Sequence, residues 1–338
     1  MSYNSSLYLI ILAAGKGTRM KSQKAKVLHE VFYAPMIHHV LQATSSLEAR
    51  RTIVVIGHQW AAVKESLASF SPTTVIQQEQ LGTGHAVLCA KSAIDVYEGN
   101  VMILCGDTPL IRPESLTDML TQHCSNESII TVMTTSLSNP TNYGRIISNT
   151  DNTISCIVEE KDTDSEQKKI KEINSGIYCI NTKFLFSHLA NIGTDNSQGE
   201  VYLTDIVTQA VSKNIPVHKY LNPDAAEVLG VNSRLELSQA HSALQIRQNH
   251  NLMGAGVTMI QPESIQVSPD STVAKDVRLH PGVAISGVSN ISEGCEIGTG
   301  VLLHDVILGE DCTIGAYSCL KHCRISKNSE IPTHSKSC

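Results

Sequence analysis

No two of the ten cysteines stand as a CxxC pair; the closest, Cys319 and Cys323, fall where a repeat already sets the spacing. Zinc-ligand spacing is therefore missing, and with no export signal a disulfide framework is not expected, so the thiols read as reduced. An excess of positive charge is also lacking: 26 Lys and Arg face 32 Asp and Glu, for a net charge of -6. A general nucleic-acid binder presents a basic surface, so that class is excluded, although a nucleotide site needs only a few placed cations. No apolar stretch approaches the ~20 residues that cross a membrane. Residues 7–14 are apolar, but no basic region precedes them and a glycine loop follows, so they read as a buried strand rather than a signal peptide. The expectation is a cytoplasmic protein with neither a membrane nor a nucleic acid as partner.

Present instead is the composition of a globular protein, 41% hydrophobic and 17% charged. A chain of 338 residues exceeds one ordinary core, which predicts more than one domain. Strand-like and helix-like segments alternate in the first part. Residues 7–12, 52–56, 74–77 and 101–105 read as strands. Helical spacing covers 27–46, 61–70 and 83–93, and Pro113 opens another helix where no amide donor is needed. That alternation predicts an α/β fold, a Rossmann-like domain with a mostly parallel sheet and ligands at the carboxyl ends of its strands. Segments 143–147, 154–158 and 173–180 read as further strands, followed by helices around 202–212 and 233–249.

From Val267 the period becomes six. Val267, Val273, Leu279, Ile285, Ile291, Ile297 and Leu303 are in phase, and the series resumes at Leu308, Ile314 and Leu320, then Ile325 and Ile331. Each flat side of a parallel β-helix takes one hexapeptide, so this region predicts about four coils with the aliphatics stacked inward. It resembles the left-handed hexapeptide helix of the acyltransferase superfamily. The expected domains are a nucleotidyltransferase domain over 1–230, a linker helix over 231–253 and a short left-handed β-helix over 254–338.

Directly after the first strand lies Leu12-Ala13-Ala14-Gly15-Lys16-Gly17-Thr18-Arg19-Met20. Glycines let backbone amides approach a phosphate, and Arg19 and Lys26 add positive charge. It is not a Walker loop, because the position five back from Lys16 is Ile11, flanked by no glycine. Nor is it a dinucleotide fingerprint, because Met20 replaces the third glycine.

That loop, with Lys26-Val27-Leu28, resembles the signature of sugar-phosphate nucleotidylyltransferases. Gln77 with Gln80–Ala86, Gly106–Leu110, Tyr143–Ile146, Glu159–Asp162, Glu172–Gly176, Gln198–Glu200, Tyr202–Ile206 and Gly230–Asn232 narrow the resemblance to the uridylyltransferase half of the bifunctional GlmU family. The resemblance implies uridylyl transfer from UTP to N-acetylglucosamine 1-phosphate, with Mg²⁺. It places Asp107 and Asn232 on the metal, and Arg19 and Lys26 on the triphosphate as catalytic residues. Leu12, Ala13, Ala14 and Gly15 line the nucleotide; Gln77, Gly82 and Thr83 read uracil; Gly144, Glu159 and Asn174 hold the sugar, near Thr204 and Asp205. Taken alone, Gln77 reads as a surface strand residue, Arg19 and Lys26 as solvated charge, Asn232 as a helix cap, and Thr204 as the cap of a following helix.

Two departures stand out. Ala25 replaces the family's proline before the lysine, which predicts a looser loop, and Cys105 replaces a tyrosine two residues before Asp107. The family's acetyltransferase site lies late in a longer helix between subunits of a trimer. His304, His322 and His334 match no acetyl-transfer motif and read as exposed turn residues, so acetyltransferase activity is expected to be absent, while the β-helix still implies a homotrimer. Rival readings are another sugar-nucleotide pyrophosphorylase, a hexapeptide acyltransferase and a non-catalytic regulatory subunit.

Overall fold

A computed structural model describes residues 7–194 and 196–337. The chain divides into two compact units, residues 1–30 with 34–234, and residues 31–33 with 235–338.

The first unit is built on a nine-stranded sheet. Along its main path the strands run Val217–Leu221, Ile130–Ser136, Glu172–Asn181, Asn100–Cys105, Leu7–Ala13, Arg51–Ile56 and Thr73–Ile76. Glu172–Asn181 is antiparallel to both neighbours, and the other pairs along this path are parallel. Alternate side chains of Leu7–Ala13 enter two different cores. Tyr8 and Ile10 pack on one face, Leu7, Leu9 and Ile11 on the other, and all five are buried. Burial on both faces is why this strand is a continuous apolar run rather than an alternating one. Arg145–Ser148 and Ile154–Val158 form a hairpin joined to the sheet through the pair Ile173 and Arg145.

The helix expected over 27–46 begins only at Met36 and ends at Thr44. Lys26–Leu28 is a single 3₁₀ turn, and Glu30–Val31 pairs with Ala34–Pro35 in a two-stranded hairpin. Phe32 and Tyr33 at its tip both have positive φ, 42° and 71°, the twist a two-residue hairpin turn demands. Val27 and Val31 had the four-residue spacing of a helix, but Pro35 cannot sit inside one. The helix expected over 83–93 also stops early, at Ala90, and continues as a 3₁₀ turn. Pro113 opens its helix as expected, which runs to Ser125. The strand Ile130–Ser136, the helix Thr182–His188 and the strand Val217–Leu221 are additional elements.

In the second unit, the helix Arg234–Gly254 precedes stacked parallel strands. These form three sheets of five, four and four strands, a left-handed β-helix of just over four coils. Pairing starts before Val267, with Thr258–Met259 on Arg278–Leu279. From Gln266 the partner lies 18 residues on, as in Ala284 with Leu302; from Asn290 it lies 17 residues on, as in Leu302 with Cys319. The five-residue step from Leu303 to Leu308 accounts for the change. Leu279, Ile285, Ile291, Ile297, Leu303, Leu308 and Ile314 are buried in one stack, together with the thiols Cys295 and Cys312. Truncating a buried leucine of such a stack to alanine costs about 2–5 kcal/mol. Among the described residues no helix is long and apolar enough to cross a membrane.

Candidate active site

The carboxyl ends of Leu7–Ala13, Asn100–Cys105 and Arg51–Ile56 meet at one edge of the sheet. Gly106 N–H donates to Leu12 O at 2.9 Å, tying the loop that carries Asp107 to the glycine loop. Gly17 has φ 61°, and a Cβ there would lie 2.6 Å from Lys26 Cβ. Only glycine allows that approach, and it brings the Lys26 side chain into the site.

Lys26 Nζ makes an ion pair with Asp107 Oδ2 and donates to Asn232 Oδ1 at 2.5 Å. Arg19 Nη2 donates to the same Asn232 oxygen at 2.9 Å. Four residues dispersed between positions 19 and 232 therefore converge on one point. Asn232 Nδ2 donates to Gly230 O at 2.9 Å, which turns its carbonyl oxygen toward the cations. Lys26 is mostly covered, so the solvated-charge reading does not describe it, whereas Arg19 remains exposed.

Ala25 is tied into the loop by its own backbone donor. Its N–H, which proline would lack, donates to Gln59 Oε1 at 2.8 Å, while Gln59 Nε2 donates to Gln23 O at 2.6 Å. One glutamine side chain clasps the segment from both ends.

Two adjoining clefts open beside this centre, and Leu12 and Thr83 line both. The first is walled by Ala14, Gly15, Gln77, Gln80, Gly82, Ala86 and Glu200. Gln77 is buried, not a surface residue; its Nε2 donates to Gly82 O at 3.2 Å and lies 3.0 Å from His85 Nδ1. Leu203 N–H donates to Thr83 Oγ1 at 3.0 Å, and Gly84 N–H to Val201 O at 2.8 Å, so residues 201–203 brace this wall. Ala13 is buried in the core below the loop rather than lining the cleft.

The second cleft holds Gly144, Glu159, Asn174, Tyr178, Thr204 and Cys105 among its walls. Asn174 N–H donates to Gly144 O at 2.9 Å, and a Cβ placed on Gly144 would stand 3.5 Å from Glu159 Oε2. Thr204 precedes the helix Asp205–Val211 but does not cap it; its hydroxyl donates to Glu159 Oε1 at 3.3 Å. Burial pushes the Glu159 carboxyl above its ordinary value, against the Thr204 hydrogen bond. Burial and the Asp107 charge push the Cys105 thiol up to about 12, so it stays protonated and is no nucleophile. Asp205 does not line the cleft, though burial raises its carboxyl as well.

Tyr178 was not foreseen. It is fully buried in Glu172–Asn181, paired with Ile103, and burial with the neighbouring Glu159 carboxylate holds its phenol well above the ordinary value. In sequence it is one more core residue of an apolar strand. Only the cleft reveals that a hydroxyl stands among Asn174, Glu159 and Cys105.

A parallel-sheet domain with a phosphate-type loop, a cation-rich centre and two joined clefts at the strand ends is the architecture of a nucleotide-handling transferase. The family model described as Nucleotidyl transferase matches residues 8–230. The bifunctional protein GlmU of Desulfotalea psychrophila is 48% identical over 336 residues, covering 99% of both chains. That of Pelobacter propionicus is 42% identical over 313 residues, 92% of this chain and 68% of the relative, and that of Geobacter metallireducens 44% over 298 residues, 88% and 63%. The chain is a sugar-phosphate nucleotidyltransferase and belongs to the GlmU family.

Proposed function

We propose that the chain transfers the uridylyl group of UTP to N-acetylglucosamine 1-phosphate, with Mg²⁺, giving UDP-N-acetylglucosamine and diphosphate. The observation that carries the reading is the junction of two clefts at Leu12 and Thr83, beside the Lys26, Asp107 and Asn232 centre. A base-reading wall on one side and a sugar-type wall on the other suit two substrates meeting at the α-phosphorus. Gln77, held against Gly82, offers a side-chain amide to the uracil edge. Glu159, Asn174 and the backbone of Gly144 take the sugar. Both reactants are anions, so charge neutralisation and alignment do most of the work, and no protein general base is needed. Arg19 and Lys26 supply the protein's share of that charge.

The residues present fit Mg²⁺. Asp107 and Asn232 offer two hard oxygens that already converge on a cation, the Lys26 ammonium. Mg²⁺ takes few protein oxygens and keeps water or phosphate oxygens elsewhere. Bound there, it supplies Lewis-acid stabilisation of the phosphates. The proposal includes a cytoplasmic role in supplying cell-wall precursors and assembly in threes through the β-helix.

Acetyl transfer is not part of the proposal, because the coil histidines are engaged otherwise. His334 stacks on Tyr317 with centroids 5.5 Å apart, and His304 and His322 both face Asp305.

Pyrophosphate release from the purified chain with UTP and Mg²⁺ tests both points, comparing N-acetylglucosamine 1-phosphate with glucosamine 1-phosphate, with and without acetyl-CoA. Release with the acetylated sugar alone supports the proposal. Rescue of the other sugar by acetyl-CoA refutes the second point, and silence with both sugars refutes the first.

A further inference from the structure

On the β-helix, far from any residue assigned above in the sequence, three ligand-type side chains share one corner. His304 ends the strand Leu302–His304, Asp305 follows it, and His322 follows Cys319–Lys321 in the next coil. His304 Nε2 and His322 Nδ1 each lie 3.3 Å from Asp305 Oδ2, and one ligand atom from each residue falls within 4.8 Å of the others. We propose that this corner binds a divalent transition ion of the zinc type, through His304, Asp305 and His322.

The remaining polar atoms of the set are held in place. His304 Nδ1 lies 3.0 Å from Ser286 Oγ, one coil earlier, which leaves Nε2 to face inward. Asp305 Oδ1 accepts the Val288 N–H at 2.7 Å, which leaves Oδ2 for the two imidazoles. Outer partners of this kind orient metal ligands and set their tautomers. The backbone here follows the general geometry of the coil corners, where Asp276, Asp311 and Asn328 also take positive φ. Asp305 and His322 both take left-handed conformations, φ 52° and 48°, and His322 N–H donates to His304 O at 2.9 Å. At Gly287 a Cβ would collide with Asp305 Oδ1, so the carboxylate occupies space that a glycine leaves open, as Asp311 does against Gly294.

Two imidazole nitrogens with one carboxylate oxygen suit Zn²⁺ and its neighbours, whereas Mg²⁺ and Ca²⁺ prefer oxygen alone. Three protein ligands leave a fourth position for water on this exposed face. An ion there links two successive coils. Nothing in the uridylyl-transfer reading depends on it, so either proposal can fail without the other.

The test is zinc titration calorimetry on the full chain carrying Asp107→Asn, which removes a competing carboxylate, with and without His322→Ala or His304→Ala. Uptake of one equivalent, weakened at least about tenfold by either histidine change, is expected; that factor corresponds to about 1.4 kcal/mol. Cobalt substituted for zinc should show no sulfur-to-metal charge-transfer band. His322→Ala alone should keep the wild-type circular dichroism and pyrophosphate-release rate, while zinc raises the melting temperature of the parent chain only. No uptake, uptake indifferent to both histidines, or a sulfur band that places the ion on cysteine overturns the proposal.

Discussion

The Lys26 ammonium pairs with the Asp107 carboxylate and reaches Asn232 Oδ1 at 2.5 Å, so one side chain occupies the two oxygens proposed to hold magnesium. A Mg²⁺ held by these oxygens would compete with the lysine for the same acceptors, and the lysine would then be free for phosphate.

Lys26→Ala is accordingly expected to divide two properties that usually fall together. Loss of a preorganised positive charge lowers kcat/KM by about 10²–10³-fold. Removal of the competitor should tighten Mg²⁺ binding to the free protein, measured by calorimetry. Weaker Mg²⁺ binding in this variant would contradict the geometry.

Glu159 gives the pH prediction. Burial raises its folded value, so between the ordinary carboxylate value and that raised value the folded chain binds more protons than the unfolded one. Stability from this group is complete below the unfolded value and declines as pH rises through the folded one. Glu159→Gln cannot titrate. It should melt above wild type at neutral pH, with the gap closing in acid, and its KM for the sugar phosphate should rise. Melting curves of both proteins across acid and neutral pH check this; a gap independent of pH would sink it.

Tyr178→Phe separates the clefts. The phenol belongs to the sugar side only. Losing a hydrogen bond from this hydroxyl to the bound sugar, about 1 kcal/mol, should raise KM for the sugar phosphate several-fold and leave KM for UTP nearly unchanged. Steady-state kinetics with each substrate varied in turn decide it, and an equal rise in both would remove Tyr178 from the sugar wall.

Much of this organisation is visible in the residues, for identifiable reasons. Leu7–Ala13 is apolar throughout because both faces are covered, and the hexapeptide series is periodic because each coil repeats one environment. The hairpin at Phe32 and Tyr33 is masked because Val27 and Val31 imitate a helical stripe, with Pro35 as the residue in the sequence that argues against a helix through it, and positive φ at the two tip residues makes the turn. The gathering of Lys26, Asp107 and Asn232 followed from family likeness, not from spacing, since side chains so distant in sequence meet only through the sheet. Gln59 escapes any motif: its function is a hydrogen-bonded clasp on backbone atoms 34 and 36 positions away. Thr204 sits where a helix cap would, but its hydroxyl donates to Glu159 instead of accepting from a helix amide.

The coil-to-coil pairing of the β-helix has a wider consequence. Each coil returns the chain to the same corner with the same inward residues, so a block of 18 residues, or 17 where a five-residue step occurs, is a complete structural period. Such a block can be inserted or excised without disturbing the ladders above and below it. A single-residue insertion within a strand instead turns the residues that follow it in that strand to the opposite face. Height is thus an adjustable dimension of this domain, while its triangular cross-section is held fixed by the stack inside.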